Sequence, residues 1–269
     1  MLPLNERFVF DGQSVAWGAI GEGEPIVLVH GFPWSSQAWR AIAPWLAKTH
    51  KVYYFDMLGT GLSEKGPSQN VTESVQSNLL EALIAEWSLV RPQVIGHDFG
   101  GLAALRGHFV NGIEYGKLHL VNAVAVLPSG SPFYAHVANY EPAFAGLPDY
   151  AHEALFRAYI QAAAHHPLRE DAVQIYFGPW SGELGKAAFY RQIAQADDGN
   201  IAEAQKLYGP TDFDVHITWG MRDTFIPPEQ GRQLLKLLNA KSFTPIENAA
   251  HLVHEDEPAA LLGSLLANV

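Results

Sequence analysis

The chain has no cysteine, which excludes disulfides, thiolate nucleophiles and cysteine-ligated metals. It is also short of cations: 17 lysines and arginines stand against 28 aspartates and glutamates, a formal net charge of −11. A surface of that sign does not attract phosphate backbones or anionic lipid, so neither nucleic acid nor an acidic membrane face is an expected partner. Long apolar runs are missing too. No stretch approaches the roughly 20 uninterrupted apolar residues of a membrane helix, so no membrane insertion is expected. The opening segment Met1–Arg7 lacks a basic start followed by an apolar run, so no secretory signal is expected and the cytoplasm is the expected compartment. Internal repeats and low-complexity tracts are absent.

What the chain does have is apolar mass. Of its 269 residues 48% are hydrophobic, enough for a full core in one large domain, or in one domain carrying an insertion. Strand and helix patterns alternate through the first half. Phe8–Phe10 and Ser14–Trp17 read as an opening strand pair, and Ile26–His30 as a strand buried on both faces. The spacing then predicts a helix over Ser36–Ala47, a strand over Val52–Asp56, a helix over Glu73–Ser88 and a strand over Gln93–His97. Leu102–Val110 reads as a helix and Leu118–Leu127 as a long apolar strand. From Pro128 to about Pro210 the strand signal stops and alanine- and aromatic-rich helical pieces take over, among them Ala151–Ala164 and Gly185–Gln195. Alternation resumes with strands at Val215–Trp219 and Ser242–Ile246 and helices at Glu229–Leu238 and Glu257–Leu266. The pattern predicts an α/β fold: a mostly parallel eight-stranded sheet with helices on both faces, its core formed by residues 1–128 and 211–269 and a helical cap, 129–210, inserted after the sixth strand.

One turn carries chemistry. In Gly96-His97-Asp98-Phe99-Gly100-Gly101 a strand must bend sharply into a helix, and glycines on either side remove the Cβ atoms that would clash. Such an elbow lifts one side chain above the sheet beside a helix N-terminus, where negative charge is favoured. In the common form of the elbow that side chain is serine; here it is Asp98. A carboxylate attacking an acyl carbon would give an anhydride, a poor intermediate for ester hydrolysis. Attack on a saturated carbon bearing a leaving group gives an alkyl ester instead, which water activated by a histidine can hydrolyse. The partners stand in suitable places. Asp223 follows the strand Val215–Trp219 and His251 follows Ser242–Ile246, so nucleophile, acid and base each come after a strand of their own. The backbone N–H groups of Phe32, in His30-Gly31-Phe32-Pro33, and of Phe99 are the candidate oxyanion donors. His30 and His97 read as structural hydrogen-bonding residues. His251 and His254 are three apart, but a metal would need further ligands, so neither metal nor cofactor is expected.

Over nearly the whole chain these motifs resemble the Asp-nucleophile branch of the α/β-hydrolases, which comprises epoxide hydrolases, haloalkane dehalogenases and fluoroacetate dehalogenases. The stretch Asp56-Met57-Leu58-Gly59-Thr60-Gly61-Leu62-Ser63 is similar to the branch's structural loop after the fourth strand, and Gly220 to Pro227 and Ala250 to Pro258 to its acid and histidine segments. The resemblance implies a small apolar organic substrate, with Trp34, Phe133 and Trp180 as candidate pocket residues; a homodimer is compatible with it. Haloalkane dehalogenases usually place a tryptophan after the nucleophile and an asparagine or tryptophan after His-Gly. Phe99 and Phe32 stand there instead. Fluoroacetate dehalogenases carry arginines beside the nucleophile, whereas here the nearest is Arg106, a turn further on. Epoxide hydrolases use two cap tyrosines as acids, one in a segment similar to Phe189-Tyr190-Arg191. The resemblance therefore implies epoxide opening, with Tyr190 as one acid and Tyr159, ahead of Tyr140 and Tyr150, as the other. The alternatives are a dehalogenase with the same triad, a carboxylesterase-like enzyme, and a non-catalytic ligand-binding member of the fold.

Overall fold

The computed structural model describes residues 1–66 and 68–269. Eight strands, β1 (Glu6–Phe10), β2 (Gln13–Ile20), β3 (Glu24–Val29), β4 (His50–Phe55), β5 (Gln93–His97), β6 (Lys117–Val121), β7 (Asp214–Gly220) and β8 (Ser242–Ile246), form one sheet in the order β1-β2-β4-β3-β5-β6-β7-β8. β1 pairs antiparallel with β2 and β2 antiparallel with β4; every other pairing is parallel. The aliphatic run of β3 explains its central place, because it needs cover on both faces. Val27 and Val29 point into one core with Val94 of β5, and Ile26 and Leu28 into the other with Ile95.

Helices supply that cover. On the first face lie α2 (Glu73–Glu86), α3 (Phe99–Phe109) and α9 (Pro228–Leu237), through Leu79, Leu83, Leu102, Leu105 and Leu234. On the second lie α1 (Ala43–Leu46), α10 (Val253–Asp256) and α11 (Pro258–Leu266), through Leu46, Val253, Leu261 and Leu265. Between β6 and β7 the chain is helical: α4 (Pro132–Ala145), α5 (Asp149–Ala162), α6 (Glu170–Phe177), α7 (Gly182–Ala194) and α8 (Asp198–Gln205). The first four of these helices share a third apolar cluster with the loop after β3, where Phe32 and Trp34 join Phe156, Trp180 and Phe189, while Ile201 of α8 belongs to the first core. Among the described residues no helix is long and apolar enough to cross a membrane.

Two elements differ from the sequence reading. The helix expected over Ser36–Ala47 is split: Ser36–Ala41 is a 3-10 turn capped by Ser35, and α1 begins only at Ala43, where Pro44 suits a first turn but not a helix interior. The strand expected over Leu118–Leu127 ends at Val121, because Asn122 takes a left-handed φ of 40°. Ala123–Val126 runs on as buried irregular chain, with the Val124 N–H donating to the Asp98 carbonyl. An apolar run reports burial, and here burial comes without a strand.

The loop after β4 is held by one carboxylate. Asp56 is buried and accepts from the Ser36 N–H at 2.8 Å through Oδ1 and from the Leu62 N–H at 2.7 Å through Oδ2. Asp56→Ala would orphan both donors, so it is expected to lower the unfolding free energy by about 3 kcal/mol in chemical denaturation. A loss below about 1 kcal/mol would show that the two bonds do not restrain the loop.

Candidate active site

The centre is an elbow built by close approach of backbone. Asp98 sits between β5 and α3 with φ 55° and ψ −126°, a conformation that non-glycine residues rarely adopt. A Cβ on Gly100 would stand 2.4 Å from the Val29 and His30 carbonyl oxygens, and one on Gly31 2.2 Å from Asp98 Oδ1. Glycine at these two positions lets the loop after β3 close over the Asp98 carboxylate.

Asp98 is 5% exposed, and its two oxygens have different neighbours. Oδ1 accepts from the Phe32 N–H at 2.9 Å. Oδ2 lies 3.1 Å from His251 Nε2. Across the ring, His251 Nδ1 donates to Asp223 Oδ2 at 3.0 Å. The structure thus brings Asp98, His251 and Asp223 into one hydrogen-bonded line, and Phe32 onto the outer oxygen. No bond joins the Phe99 N–H to Asp98.

Asp223 is fully engaged. Its Oδ1 accepts from the Phe225 and Ile226 N–H groups at 2.8 and 2.9 Å, and its Oδ2 accepts from Asn122 Nδ2 at 2.7 Å as well as from His251. Asn122 also accepts from the Gly220 N–H, which ties the end of β6 to the start of the acid loop. Nothing in the sequence reading singled out Asn122. Its signal is a polar residue inside an apolar run at a strand end.

Burial opposes charge on His251, but the neighbouring Asp223 and Asp98 carboxylates outweigh it and hold the imidazole up at about 10. The resting site is therefore an imidazolium between two carboxylates. The histidines beneath stay neutral: burial, reinforced by the His251 charge, pushes His97 down to about 3, and burial likewise lowers His30 and His254. His97 Nε2 donates to the His251 carbonyl at 3.0 Å. His30 donates from Nδ1 to the Gly31 carbonyl and accepts from the Met57 N–H at Nε2, so both rings brace backbone.

The helices after β6 bring two phenols to this centre. The Tyr134 ring packs against Phe32 and Phe99, each at 6.5 Å between centroids, and Tyr159 packs at 5.3 Å on Phe225, which stacks on His251 at 5.6 Å. Tyr159 OH is 3.5 Å from Tyr134 OH. Burial raises both phenols, and the Asp98 charge raises them further.

Several sequence expectations are corrected. Tyr190 is buried inside the helical cluster with its hydroxyl 3.0 Å from His152 Nδ1, and burial alone pushes it up to about 12. Its neighbour Phe189 is the one that meets Phe32, because consecutive helical residues point about 100° apart. Tyr134, which the sequence reading did not single out, is the tyrosine that packs beside Phe32 and Phe99; it lies in the first turn of α4, which starts at Ser131-Pro132. Tyr140 and Tyr150 are exposed. Trp34 and Trp180 are packing residues: Trp34 stands edge-on to Tyr176, and Trp180 Nε1 donates to the Pro33 carbonyl. Phe133 packs on Tyr159 and Phe144. Arg106 is buried and spent on Glu203 and the Asn200 carbonyl. None of these four lines the small cavity of about 20 Å³ beside the elbow, whose walls include Phe32, Phe99, Tyr134, Glu73 and Gln192.

Comparison with known proteins gives the same frame. A solved alpha/beta hydrolase fold protein from Burkholderia ambifaria superposes with a TM-score of 0.97 at 49% identity, covering 100% of this chain and 99% of that one. The soluble epoxide hydrolase of Corynebacterium sp. (strain C12) is 29% identical over 151 residues, spanning 55% of this chain and 52% of that protein. The haloalkane dehalogenase DatA from Agrobacterium tumefaciens C58 shares the fold, with a TM-score of 0.81 at 18% identity over 97% of this chain and 94% of that one. The sequence pattern of the alpha/beta hydrolase family matches residues 26–263, and with the sheet and the elbow already described this chain belongs to that family and is a hydrolase.

Proposed function

We propose that the protein is an epoxide hydrolase that opens a small terminal epoxide through an alkyl ester on Asp98. The observation that carries this reading is the pair of half-buried phenols, Tyr134 and Tyr159, gathered beside one carboxylate. Opening an epoxide releases an alkoxide that needs a proton, and two hydroxyls from the helices above the site are suited to share that duty. A departing halide needs N–H donors and no proton. The two residues that flank Asp98, Phe32 and Phe99, have no side-chain donor, so dehalogenation is the second reading. The partial likeness to the Corynebacterium epoxide hydrolase supports the first.

The chemistry follows from the two oxygens of Asp98. Oδ2 attacks an epoxide carbon; the C–O bond breaks and the released oxygen takes a proton from the phenol pair. Alkylation removes one of the two negative charges that held the His251 proton. The imidazolium therefore becomes acidic and returns its proton to the phenolate, leaving a neutral base. Water then gives one proton to His251 and adds to the ester carbonyl, while the charge that develops on Oδ1 is met by the Phe32 N–H already aimed there, with Phe99 N–H as the second donor. Collapse expels the alkoxide, which takes the remaining water proton from the new carboxylic acid. The diol leaves, and the carboxylate–imidazolium pair is restored. Asp223 keeps the imidazole oriented throughout.

Three outcomes test the scheme. Asp98→Asn is expected to cut epoxide turnover more than about 10³-fold, and His251→Gln to stop after one event, with the peptide containing Asp98 heavier by the mass of the epoxide. An adduct on any other peptide would overturn the assignment. Tyr134→Phe and Tyr159→Phe are each expected to lower kcat by about tenfold or more, and the double variant by about 10²-fold or more. Tyr190→Phe should hold kcat within about threefold while costing about 1 kcal/mol of stability. A Tyr190→Phe enzyme as inactive as the double variant would return that residue to the mechanism.

The third outcome concerns pH. His251 near 10 in the free enzyme is stabilised by two carboxylates, and one charge disappears on alkylation. In single-turnover ester hydrolysis the rate should rise with pH through a midpoint clearly below 10, because only Asp223 still favours the imidazolium. A midpoint unchanged near 10 would mean that Asp98 keeps its charge in the intermediate, against the ester.

A further inference from the structure

The room beside the elbow does not match the size of a substrate. That cavity, about 20 Å³, takes little more than one water molecule, and Asp98 is 5% exposed. A second cavity, of about 420 Å³, opens to the surface and falls within the range of small-molecule sites, roughly 300–1,000 Å³. The two are neighbours: Glu73, Phe99, Tyr134 and Ala196 stand in the walls of both. Phe99 follows Asp98 directly, and the Tyr134 ring stacks on it at 6.5 Å between centroids. Those two rings are the shared wall through which the outer cleft borders the reacting carboxylate.

The lining of the cleft indicates what suits it. From one side α4 contributes Pro132, Ala135 and Ala138; from the other α7 and α8 contribute Ile193 and Ile201. Its charged groups are Glu73, Asp197 and Asp198, and among the described residues no lysine or arginine lines it. Two of these carboxylates have structural duties: Glu73 accepts from the Asp197 N–H and Asn200 Nδ2 at 3.2 and 3.0 Å, and Asp197 caps α8 through the Gly199 N–H. The α7–α8 side is fastened to the core. Gln195 accepts from the Val71 N–H and donates to the Gln69 carbonyl, each at 2.9 Å, and Arg106 pairs with Glu203 at 2.8 Å. The first half of α4 is fastened far less. Beyond its own turns, its one hydrogen bond among the described residues joins the Tyr134 and Tyr159 hydroxyls. That half-helix begins after Gly130, with φ 77°, and ends at Tyr140, whose φ of −134° and ψ of 29° break the helix. It is the wall that can yield and let a substrate pass between Phe99 and Tyr134.

We infer that this cleft is a subsite for the tail of the substrate, an apolar chain without an anionic end, while the reacting ring sits at Asp98 on the inner side of Phe99 and Tyr134. The inference rests on the epoxide hydrolase reading for the reacting end and extends it: the preferred substrate is a long-chain terminal epoxide. Turning the Tyr134 ring makes room for the epoxide, but the volume for a chain lies in the outer cleft. A chain gains by leaving water against the alanine, proline and isoleucine side chains there. A carboxylate at its end would meet three acidic residues and no cation. Ala135 and Ala138 are the specificity-determining positions, because their small side chains keep the cleft wide.

The test compares 1,2-epoxydecane with 1,2-epoxybutane and with the decane epoxide carrying an ω-carboxylate, on the wild type, Ala138→Trp and Ala135→Phe. Both alanines are exposed and lie outside the catalytic machinery. Wild-type kcat/KM should favour epoxydecane over epoxybutane by at least about tenfold, mainly through KM, and over the ω-carboxylate by about fivefold or more at low salt. Each variant should cut the preference for epoxydecane by about tenfold or to unity, and leave epoxybutane within about threefold of the wild type. No chain-length preference in the wild type, one that both variants leave unchanged, a loss shared equally by both epoxides, or a preference for the carboxylate overturns the subsite. Should both variants fail to fold, calorimetric titration of the wild type decides: 1,2-decanediol is expected to bind at least about tenfold more tightly than 1,2-butanediol, and equal affinity overturns the subsite. With folded variants the same titration separates the two readings. If no epoxide is turned over but decanediol keeps an advantage that Ala138→Trp removes, the epoxide reading falls and the subsite stands; if epoxides are turned over without regard to chain length, the reverse holds.

Discussion

Two buried carboxylates within reach of one imidazole set the terms for the rest of this molecule. Neither Asp98 nor Asp223 can be left unpaired at its depth, because an unanswered buried charge costs several kcal/mol. The fold answers with donors drawn from separate strand ends: Phe32 after β3, Asn122 after β6, Phe225 and Ile226 after β7 and His251 after β8. Those segments converge only because β3, β5, β6, β7 and β8 are consecutive and parallel in the sheet, which places their C-terminal ends along one edge. Register, elbow strain and the glycines at 31 and 100 all serve that convergence. The sheet order and the charge arrangement are one constraint seen at two scales.

The same constraint explains what could be read without coordinates. Buried parallel strands must be short aliphatic runs, so β3, β5 and β7 stood out, and an elbow must have glycines around its nucleophile, so Asp98 did too. Asp223 and His251 were legible because each follows such a strand. Less visible was whatever depends on packing between elements. Ala123–Val126 looks like strand because burial, not pairing, selects its residues. Asn122 looks like an interruption until its two bonds are seen. In the helices above the site, tyrosine at helical spacing serves equally well as a packing residue or an acid. Only the orientation of α4 and α7 decides that Tyr134 reaches the elbow and Tyr190 meets His152.

The charge on His251 links these parts into a cycle. In the resting state it is favoured by the two neighbouring carboxylates, which keeps a proton stored beside Asp98. The phenols above are made weak acids first by loss of solvent, and further by the same Asp98 charge. In the proposed scheme alkylation changes both at once: it removes the charge that held the proton on His251 and the charge that opposed ionisation of the phenols. Proton release and base formation then need no outside trigger, because the covalent step supplies it. A serine at the elbow would have no such charge to lose, and His251 would feel Asp223 alone from the outset. In the proposed scheme the aspartate therefore does more than attack; its neutralisation is what converts the imidazole from an ion-pair partner into a base.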